Sequence, residues 1–400
     1  MKTTKYQPTG LNGLVAFEIP DIRDSDKGTV TLTGQFQRIK PNIGRTEVDP
    51  KIVDELANKY CKLATNTGFL DHHFKRHSIK TVTLTTVQLS LYWMPRVELG
   101  SKQMDFVIRF LTWLFFWDDI MEQGWLNKEK MDKKTDISML RAINGIFADI
   151  LRGNEVIEYE KLTFPGYPQF VALCVFVEDF LQVAKDILRE RYSTQVTNVI
   201  KAFQSYADAI EWFTVNPVDG RYSTTTFHYW RVINAGGGLV LDGLAFANEL
   251  QLKPVISRHP AFQRMVMIAV TNTQLVNEVL GVRKDFGREG ADLDSEVVFR
   301  VAFKNESVQV AVDAVCSAIT DDLTDLIVLK ETLIDIFGED EDLINWFDLI
   351  DVFIDGQNLV YVENIRYKCE RGFVRLSRYE SEEDGLNRDD IEDGDDAIVR

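Results

Sequence analysis

Residues 104–122 decide the fold, and they read MDFVIRFLTWLFFWDDIME. From Met104 to Trp117 the stretch is apolar on nearly every side, which predicts a helix buried inside the protein. Its main polar interruptions are Asp105 and Arg109, which are four residues apart and can pair on one helical face. The stretch therefore predicts a central helix of a helical protein.

Three acids end this apolar helix: Asp118, Asp119 and Glu122. Asp118 and Glu122 are four residues apart, so they share one face of the helix. Carboxylates at the rim of an apolar interior are costly unless a cation meets them. Oxygen ligands of this kind suit Mg²⁺, which usually keeps some waters and is shared with substrate phosphates.

The composition narrows the classes of protein to consider. The chain has 400 residues, 45% of them hydrophobic, and a net charge of −17, which argues against a nucleic-acid partner. The first ten residues, MKTTKYQPTG, have no apolar core of a secretory signal. No apolar run approaches the ~18 residues that span a bilayer. We therefore expect no membrane span.

The cysteines indicate a reducing compartment. Cys61, Cys174, Cys316 and Cys369 are widely scattered along the chain. Their spacing fits neither a disulfide framework nor a zinc site. We therefore expect free thiols and a cytoplasmic location.

The chain divides into three segments by its local patterns. Residues 1–48 are expected to be irregular or to hold a short hairpin, and residues 379–400 to form an acidic, disordered tail. Asp49-Pro50 predicts a helix start, with Asp as the N-cap and Pro at the first position. One all-α domain is expected over residues 49–378. The 3.6-residue periodicity predicts helices at 51–66, 101–123, 136–152, 168–190, 193–213, 224–250, 260–287, 294–318, 320–336 and, in pieces, 340–378.

A second polar constellation lies in residues 271–290, TNTQLVNEVLGVRKDFGREG. Asn277, Gly281 and Asp285 are four residues apart in turn, so they stay within about 80° of one another on a helix. An amide oxygen and a carboxylate two turns apart can hold a second cation, and Gly281 leaves space for water. Lys284 is a cation that can meet a phosphate. The alternative is an ordinary polar helix face.

Two further elements carry anion-binding side chains. Arg231 lies just before three consecutive glycines, Gly236 to Gly238, which predict a helix break or a close backbone approach. The guanidinium of an arginine there can bind a phosphate, or it can form a salt bridge at the surface. Near the end of the helical region, Arg366 and Tyr367 can both donate to an anion.

Together these pieces resemble a class I terpene synthase, most like the microbial sesquiterpene cyclases, over roughly residues 50–375. The acids at 118–122 match the aspartate-rich motif of that family. Residues 277–285, NEVLGVRKD, are similar to its second metal motif, N-D-x-x-S-x-x-K/R-E, with Glu, Gly and Asp at three of its positions. Arg231 lies 46 residues before Asn277, as does the diphosphate-sensing arginine of the family. The linker and effector positions after that arginine correspond to Asn234 and to Ala235 or Gly236.

The resemblance implies a fold, an activity and site residues. The fold is a single-domain α-helical bundle around a central apolar cavity. The activity is ionisation of a linear prenyl diphosphate, with farnesyl diphosphate expected, and cyclisation to a sesquiterpene hydrocarbon or alcohol. Three Mg²⁺ ions, a monomer or a homodimer, and no nucleic-acid partner are expected. The implied metal ligands are Asp118, Asp119, Glu122, Asn277, Gly281 and Asp285, and the implied diphosphate-binding residues are Arg231, Lys284, Arg366 and Tyr367.

Aromatic side chains are expected to stabilise the carbocation through their faces. Phe115 lies one turn before the acids and is the first of these substrate-binding candidates. Ordinary core packing is the alternative for each aromatic. The other candidates are Phe116, Trp113, Phe227, Tyr229 and Trp230.

Three alternatives to this function stay open. A chain-elongating prenyl diphosphate synthase needs a second acidic motif, and residues 321–325, DDLTD, supply one. Thr320 is also a suitable N-cap, so these acids are equally typical of a first helical turn. The second alternative is a diterpene cyclase that uses geranylgeranyl diphosphate. The third is an inactive all-α binding protein, in which Gly281 and Asp285 mark the loss of a metal site.

Overall fold

The computed structural model describes residues 12–20, 29–45, 47–71, 77–120, 133–152, 169–188, 192–215, 218–286, 293–364 and 372–376. Helices make up most of this part of the chain, in agreement with the predicted all-α class. The elements in chain order are β1 (Asn12–Pro20), β2 (Thr29–Gln37), α1 (Pro50–Asn66), α2 (Ile79–Trp93), α3 (Lys102–Ile120), α4 (Lys133–Leu151), α5 (Gln169–Leu188), α6 (Tyr192–Val215), α7 (Thr224–Asn234), α8 (Gly237–Ala247), α9 (Pro254–Ser257), α10 (Pro260–Phe286), α11 (Glu296–Phe303), α12 (Val308–Phe337), α13 (Glu341–Glu363) and β3 (Gly372–Leu376).

The two clearest local predictions are confirmed. Asp49 caps α1 by accepting a hydrogen bond from the backbone N–H of Lys51 at 2.8 Å. Helix α3 is buried along its length, and Arg109 pairs with Asp105 at 2.8 Å. Because the carboxylate of Asp105 also accepts a hydrogen bond from the Tyr60 hydroxyl, this polar pair is satisfied within the core.

Helix α2 was not predicted, because its threonines and valines are typical of strands. Ser78 caps it by accepting from the N–H of Thr81 at 3.1 Å. The hydroxyls of Thr83 and Thr85 donate to carbonyls four residues earlier, at 3.0 and 2.9 Å. Both threonines are fully buried, so tertiary packing outweighs their local preference.

The helix break that the three glycines indicate is confirmed, since the region 224–250 divides into α7 and α8 at Gly236, whose φ is 71°. The boundary predicted between residues 318 and 320 is wrong, because the break falls at 304–307, where Ser307 caps α12. Thr320 therefore lies inside α12, where its hydroxyl donates to the carbonyl of Cys316, and the N-cap interpretation of Thr320 is wrong.

The N-terminal segment contains strands at residues 12–20 and 29–37, so the expected hairpin is confirmed and the expected irregularity is wrong for these residues. β1 and β2 form an antiparallel hairpin, and β3 pairs antiparallel with the other edge of β1, in the order β2-β1-β3. Leu32 and Phe36 alternate with exposed residues and pack on Val279 of α10 and its neighbours. The sheet therefore packs against α10 and α12.

Helix α13 is fixed by a row of buried carboxylates that meet cations from other elements. Asp355, which is fully buried, accepts two hydrogen bonds from the Arg38 guanidinium at 2.9 and 3.0 Å. A two-pronged pair of this kind defines orientation as well as charge balance. The other pairs are Arg96 with Asp348 and Lys330 with Asp351.

Helix α10 is the only described element that is long and apolar enough to cross a membrane, over Pro260–Val282. That stretch is 78% buried within the protein, as for a core helix. Among the described cysteines, Cys61, Cys174 and Cys316 are free thiols, and Cys369 lies outside the described residues.

Candidate functional site

A central cavity opens between the helices that carry the two predicted motifs. Helices α2, α3, α6, α7, α8, α10 and α13 all contribute to its wall. The residues that line it are Leu89, Trp93, Leu114, Phe115, Asp118, Tyr206, Arg231, Asn234, Ala235, Gly237, Val240, Thr273, Gln274, Asn277, Asp285, Asp294, Phe353, Gln357 and Tyr361. The two polar stretches therefore face a shared hollow.

The first acidic wall comes from the end of α3. Asp118 lines the cavity and accepts a hydrogen bond from the Tyr206 hydroxyl at 3.0 Å. Asp119 is only 1% exposed and lies outside the cavity lining. Glu122 lies outside the described residues. Of the three predicted acids, the structure thus places Asp118 at the cavity surface.

The second wall comes from the C-terminal half of α10. Asn277 and Asp285 line the cavity, and the Tyr361 hydroxyl donates to the amide oxygen of Asn277. A Cβ built on Gly281 would meet the Asp285 carboxylate at 3.5 Å, an ordinary van der Waals distance. The side chain of Lys284 lies outside the described part of the chain.

Asp294 is a third cavity carboxylate, and sequence reasoning missed it. It follows α10 by eight residues, immediately before α11, so no helical spacing connects it with Asn277. Its place depends on the path of the chain between the two helices, which local pattern does not reveal.

Arg231 lies at the cavity wall and is held there by a buried partner. Its Nε and Nη2 both donate to Oε1 of Glu278 at 2.8 Å. Glu278 is fully buried, and its Oε1 also accepts from the amide of Gln274 at 2.9 Å. The other oxygen, Oε2, accepts from the backbone N–H of Glu296 at 2.7 Å. Glu278 therefore connects Arg231 to the start of α11.

The network continues along α7 to His228, which does not line the cavity. His228 lies one turn before Arg231, and its Nδ1 is 2.7 Å from the carboxylate of Glu296. This hydrogen bond raises the pKa of His228 above its usual value, against the opposing effect of burial. Arg300 also donates to Glu296, at 3.3 Å.

The break between α7 and α8 forms another part of the wall. Asn234, Ala235 and Gly237 line the cavity. Gly236 has a positive φ, and a Cβ there would lie 3.3 Å from the ring of Tyr206. The same tyrosine therefore contacts both the helix break and Asp118.

Most of the predicted aromatic candidates pack elsewhere, and Phe115 alone of the six lines the cavity. Trp113 and Phe116 are core residues, with ring neighbours such as Phe147 and Phe176 respectively. The other three are on α7, where Phe227 stacks on Phe299, Trp230 stacks on Trp212, and Tyr229 is 59% exposed.

The aromatic residues that line the cavity beside Phe115 were missed. They are Trp93, Tyr206, Phe353 and Tyr361. They come from α2, α6 and α13, and only the fold brings them together.

Two further predicted elements are not part of the described cavity. Arg366 and Tyr367 lie outside the described residues, which stop at Asn364 and resume at Gly372. The acidic motif at 321–325 lies within α12 and does not line the cavity. Burial raises the pKa of its Asp322 to about 6.

The donor set of the cavity suits a hard divalent cation. Asp118, Asp285 and Asp294 supply carboxylates, and Asn277 supplies an amide oxygen. Among the described residues, no three His, Cys, Asp or Glu side chains converge into a complete metal site. Oxygen donors on separate walls fit an ion such as Mg²⁺, which fills its remaining positions with water and substrate phosphate oxygens.

Comparisons with known proteins agree with this geometry. The family model described as "Terpene synthase family 2, C-terminal metal binding" matches residues 109–325, over half of the chain. The terpene cyclase braA of Annulohypoxylon truncatum is 22% identical over 284 residues, which cover 68% of this chain and 69% of the relative.

Solved structures show the same fold at low sequence identity. A cucumene synthase has a TM-score of 0.58 at 12% identity, with 81% of this chain and 98% of that chain covered. Hedycaryol synthase has a TM-score of 0.60 at 13% identity, with 82% and 98% covered. The linalool/nerolidol synthase of Streptomyces clavuligerus has a TM-score of 0.58 at 12% identity, with 80% and 98% covered.

Proposed function

Since the chain belongs to the terpene synthase family, we propose that it ionises farnesyl diphosphate and cyclises the resulting carbocation to a sesquiterpene hydrocarbon or alcohol. Divalent-metal binding and a prenyl diphosphate substrate are properties of the family. Farnesyl as the chain, Mg²⁺ as the metal and three as the number of ions are parts of the proposal.

One observation carries the proposal: a single cavity is lined by oxygen ligands from α3 and α10, by an arginine and by aromatic side chains. The polar groups suit a diphosphate with its cations, and the apolar surface suits an isoprenoid chain. Such separation of a charged head from an apolar tail within one hollow is what a prenyl diphosphate requires.

Asp118 would hold metal on the α3 wall, with Asp119 and Glu122 as further proposed ligands. Asn277 and Asp285 would hold it on the α10 wall, with water at Gly281. Bound Mg²⁺ would neutralise the diphosphate and so improve it as a leaving group. Tyr206 and Tyr361 hold the oxygens of Asp118 and Asn277 through hydrogen bonds, which orients both walls.

Arg231 would bind the diphosphate oxygens through its guanidinium, which Glu278 orients at the cavity wall. Its side chain is 14% exposed. Because water screens its charge poorly there, the guanidinium attracts a nearby anion more strongly than an exposed arginine does. Lys284, Arg366 and Tyr367 are proposed as further diphosphate ligands. Positive charge that is fixed before the reaction stabilises the negative charge that develops as the C–O bond breaks.

The aromatic side chains would protect the carbocation. Phe115, Trp93 and Phe353 line the cavity with ring surfaces, which attract a cation without reacting with it. Each face stabilises the cation by about 0.5–2 kcal/mol. The backbone carbonyl of Phe353 accepts a hydrogen bond from Trp93 at 2.9 Å, so this nucleophilic oxygen is occupied.

Incubation with C10, C15 and C20 prenyl diphosphates and Mg²⁺, followed by gas chromatography–mass spectrometry, tests the proposal. We expect a cyclic C15 product and release of diphosphate. Asp118→Ala and Asn277→Ala should each abolish turnover. Asp321→Ala should leave turnover unchanged, because Asp321 is an exposed residue of α12 that does not line the cavity. Full activity of either cavity variant would refute the metal assignment, and a longer prenyl diphosphate product would indicate chain elongation.

The cytoplasmic location and the monomeric or dimeric state stay predictions. So do the boundaries at residues 48 and 379.

A further inference from the structure

Asp294 is the carboxylate of the central cavity that no sequence motif accounts for. It shares the cavity lining with Asn277 and Asp285 of α10. Unlike those two residues, it lies in a turn, which leads into α11 at Glu296. Its side chain therefore has a defined place in the cavity only if the turn itself is held in position.

Three features hold this turn in position. Leu293 packs against the hydrophobic cluster that the sheet forms with α10, α11 and α12. Ser295 is buried. The backbone N–H of Glu296 donates to Oε2 of Glu278 at 2.7 Å, so α10 itself holds the start of α11. The residues on both sides of Asp294 are thus anchored, and its carboxylate projects from a fixed backbone.

The anchor at Glu278 places Asp294 on the α10 side of the cavity. Two residues of extended chain span at most about 7 Å, so Asp294 stays close to the turn of α10 that carries Glu278. Glu278 lies between Asn277 and Gly281 in the chain, and residues three or four apart on a helix are neighbours on its surface. Asp294, Asn277 and Asp285 therefore border the same stretch of α10, where Gly281 has no side chain.

We propose that Asp294 is a protein ligand of the divalent cation at the α10 wall, together with Asn277 and Asp285. This inference rests on the proposed function, since the cation belongs to the diphosphate site. Two carboxylates and one amide oxygen suit a hard cation such as Mg²⁺ and leave its other positions to water and diphosphate oxygens. The charge and the rigidity of its ligands set the affinity of such a site, and Asp294 contributes to both.

A purely structural role for Asp294 predicts a different result. An acid just before a helix interacts favourably with the positive end of the helix dipole, and Asp294 lies two residues before α11. Asp294→Asn keeps the size of the side chain and removes its charge. If Asp294 acted only on α11, this change would lower the Tm of the metal-free protein and leave its affinity for metal unchanged.

The test measures metal binding directly, in the full chain and without turnover. Mn²⁺ is titrated into the protein with inorganic diphosphate present, and the electron paramagnetic resonance signal of the free ion gives a Kd for each bound ion. We expect Asp294→Asn to raise one of these Kd values at least fivefold, with the Tm of the metal-free protein within 1 °C of the wild type. Asp321→Asn, which changes an exposed carboxylate of α12, is the control and should leave every Kd unchanged. If every Kd of Asp294→Asn stays within fivefold of the wild type, the proposal is overturned.

Gly281 gives an independent test of where Asp294 acts. A Cβ built on Gly281 lies 3.5 Å from Oδ2 of Asp285, so a serine there brings its hydroxyl beside the same carboxylate. In the Asp294→Asn background, Gly281→Ser should lower the raised Kd at least threefold, whereas Gly281→Ala brings no hydroxyl and should not lower it. A difference of less than threefold between the two double variants would overturn the assignment of Asp294 to the α10 wall.

Failure of the proposed function has a separate signature, because this titration needs no prenyl substrate. If the wild type binds Mn²⁺ and inorganic diphosphate but releases no diphosphate from prenyl diphosphates, the catalytic proposal fails and the titration still tests Asp294. If the wild type binds no Mn²⁺ with diphosphate present, the assignment of Asp294 as a ligand fails.

Discussion

Glu278, the buried partner of Arg231, offers a direct test of how the site is held together. Glu278→Gln keeps the shape of the side chain but removes its negative charge. Glu278 accepts hydrogen bonds from Arg231, Gln274 and the backbone of Glu296. A glutamine has one oxygen and one NH₂ group, so at least one of these donors must face another donor.

The structure sets the size of the expected effect. Glu278 is fully buried, and Arg231 is only 14% exposed, so the change leaves a mostly buried charge without its partner. Breaking a buried pair in this way costs about 3–5 kcal/mol of unfolding free energy. With an unfolding entropy of about 2.1 cal/mol/K per residue, a loss of this size lowers the Tm of a chain this long by about 4–6 °C.

Activity should fall further than stability alone explains, because Arg231 loses the group that orients it. A misplacement that costs ~1.4 kcal/mol in the transition state lowers kcat/KM about tenfold. Differential scanning calorimetry and diphosphate release at a temperature where the variant is folded measure the two effects. The matched control is Glu306→Gln, which breaks a partly exposed pair with Arg300 and should cost under about 1 kcal/mol. A Tm within 1 °C of the wild type for Glu278→Gln would refute the reasoning.

Three further predictions follow from single contacts. Gly236→Ala should lower unfolding free energy by about 1–2 kcal/mol, since its φ is 71° and its Cβ would meet the Tyr206 ring at 3.3 Å; an unchanged calorimetric melt would contradict this. Gly281→Ser should fold normally, because its Cβ has room beside the cavity carboxylate, and should lower the Mg²⁺ concentration for half-maximal activity; a higher requirement would count against it. His228→Gln should reduce the pH dependence of Tm, because the hydrogen bond with Glu296 raises the pKa of His228 in the folded state. The stabilisation from this hydrogen bond is complete below the pKa of the unfolded state, about 6.5. It is lost as pH rises through the pKa of the folded state. Identical Tm–pH profiles of wild type and variant would exclude this role.

The sequence pattern predicted the parts of the molecule whose structure is determined by residues close together in the chain. Asp49-Pro50 begins α1 because the cap and the fixed φ of proline both act within one turn. The acids at the end of α3 and the polar row of α10 were visible because helical spacing places side chains on one face. The shared cavity of Asp118 and Asn277 was an expectation from a family resemblance, and the structure brings the two residues to one cavity.

The parts that escaped prediction depend on distant residues. Helix α2 forms although its composition favours a strand, because packing within the bundle buries most of its residues. Trp93, Tyr206 and Tyr361 reach the cavity from three different helices, and no spacing within the chain relates them. Asp294 reaches it from just before α11, and no helical spacing relates it to Asn277.

The position of β1 in the middle of the sheet has a consequence for how the chain is made. Its hydrogen-bonding partner Leu376 lies about 360 residues after Gly13, whereas its other partner strand follows within a few residues. At a synthesis rate of ~5–20 residues per second, the hairpin waits roughly 20–70 s on the ribosome with one edge unpaired. During that interval the unpaired edge of β1 can pair with a strand of another nascent chain. A stalled or truncated product should therefore aggregate through its N-terminal hairpin even when its helices are intact.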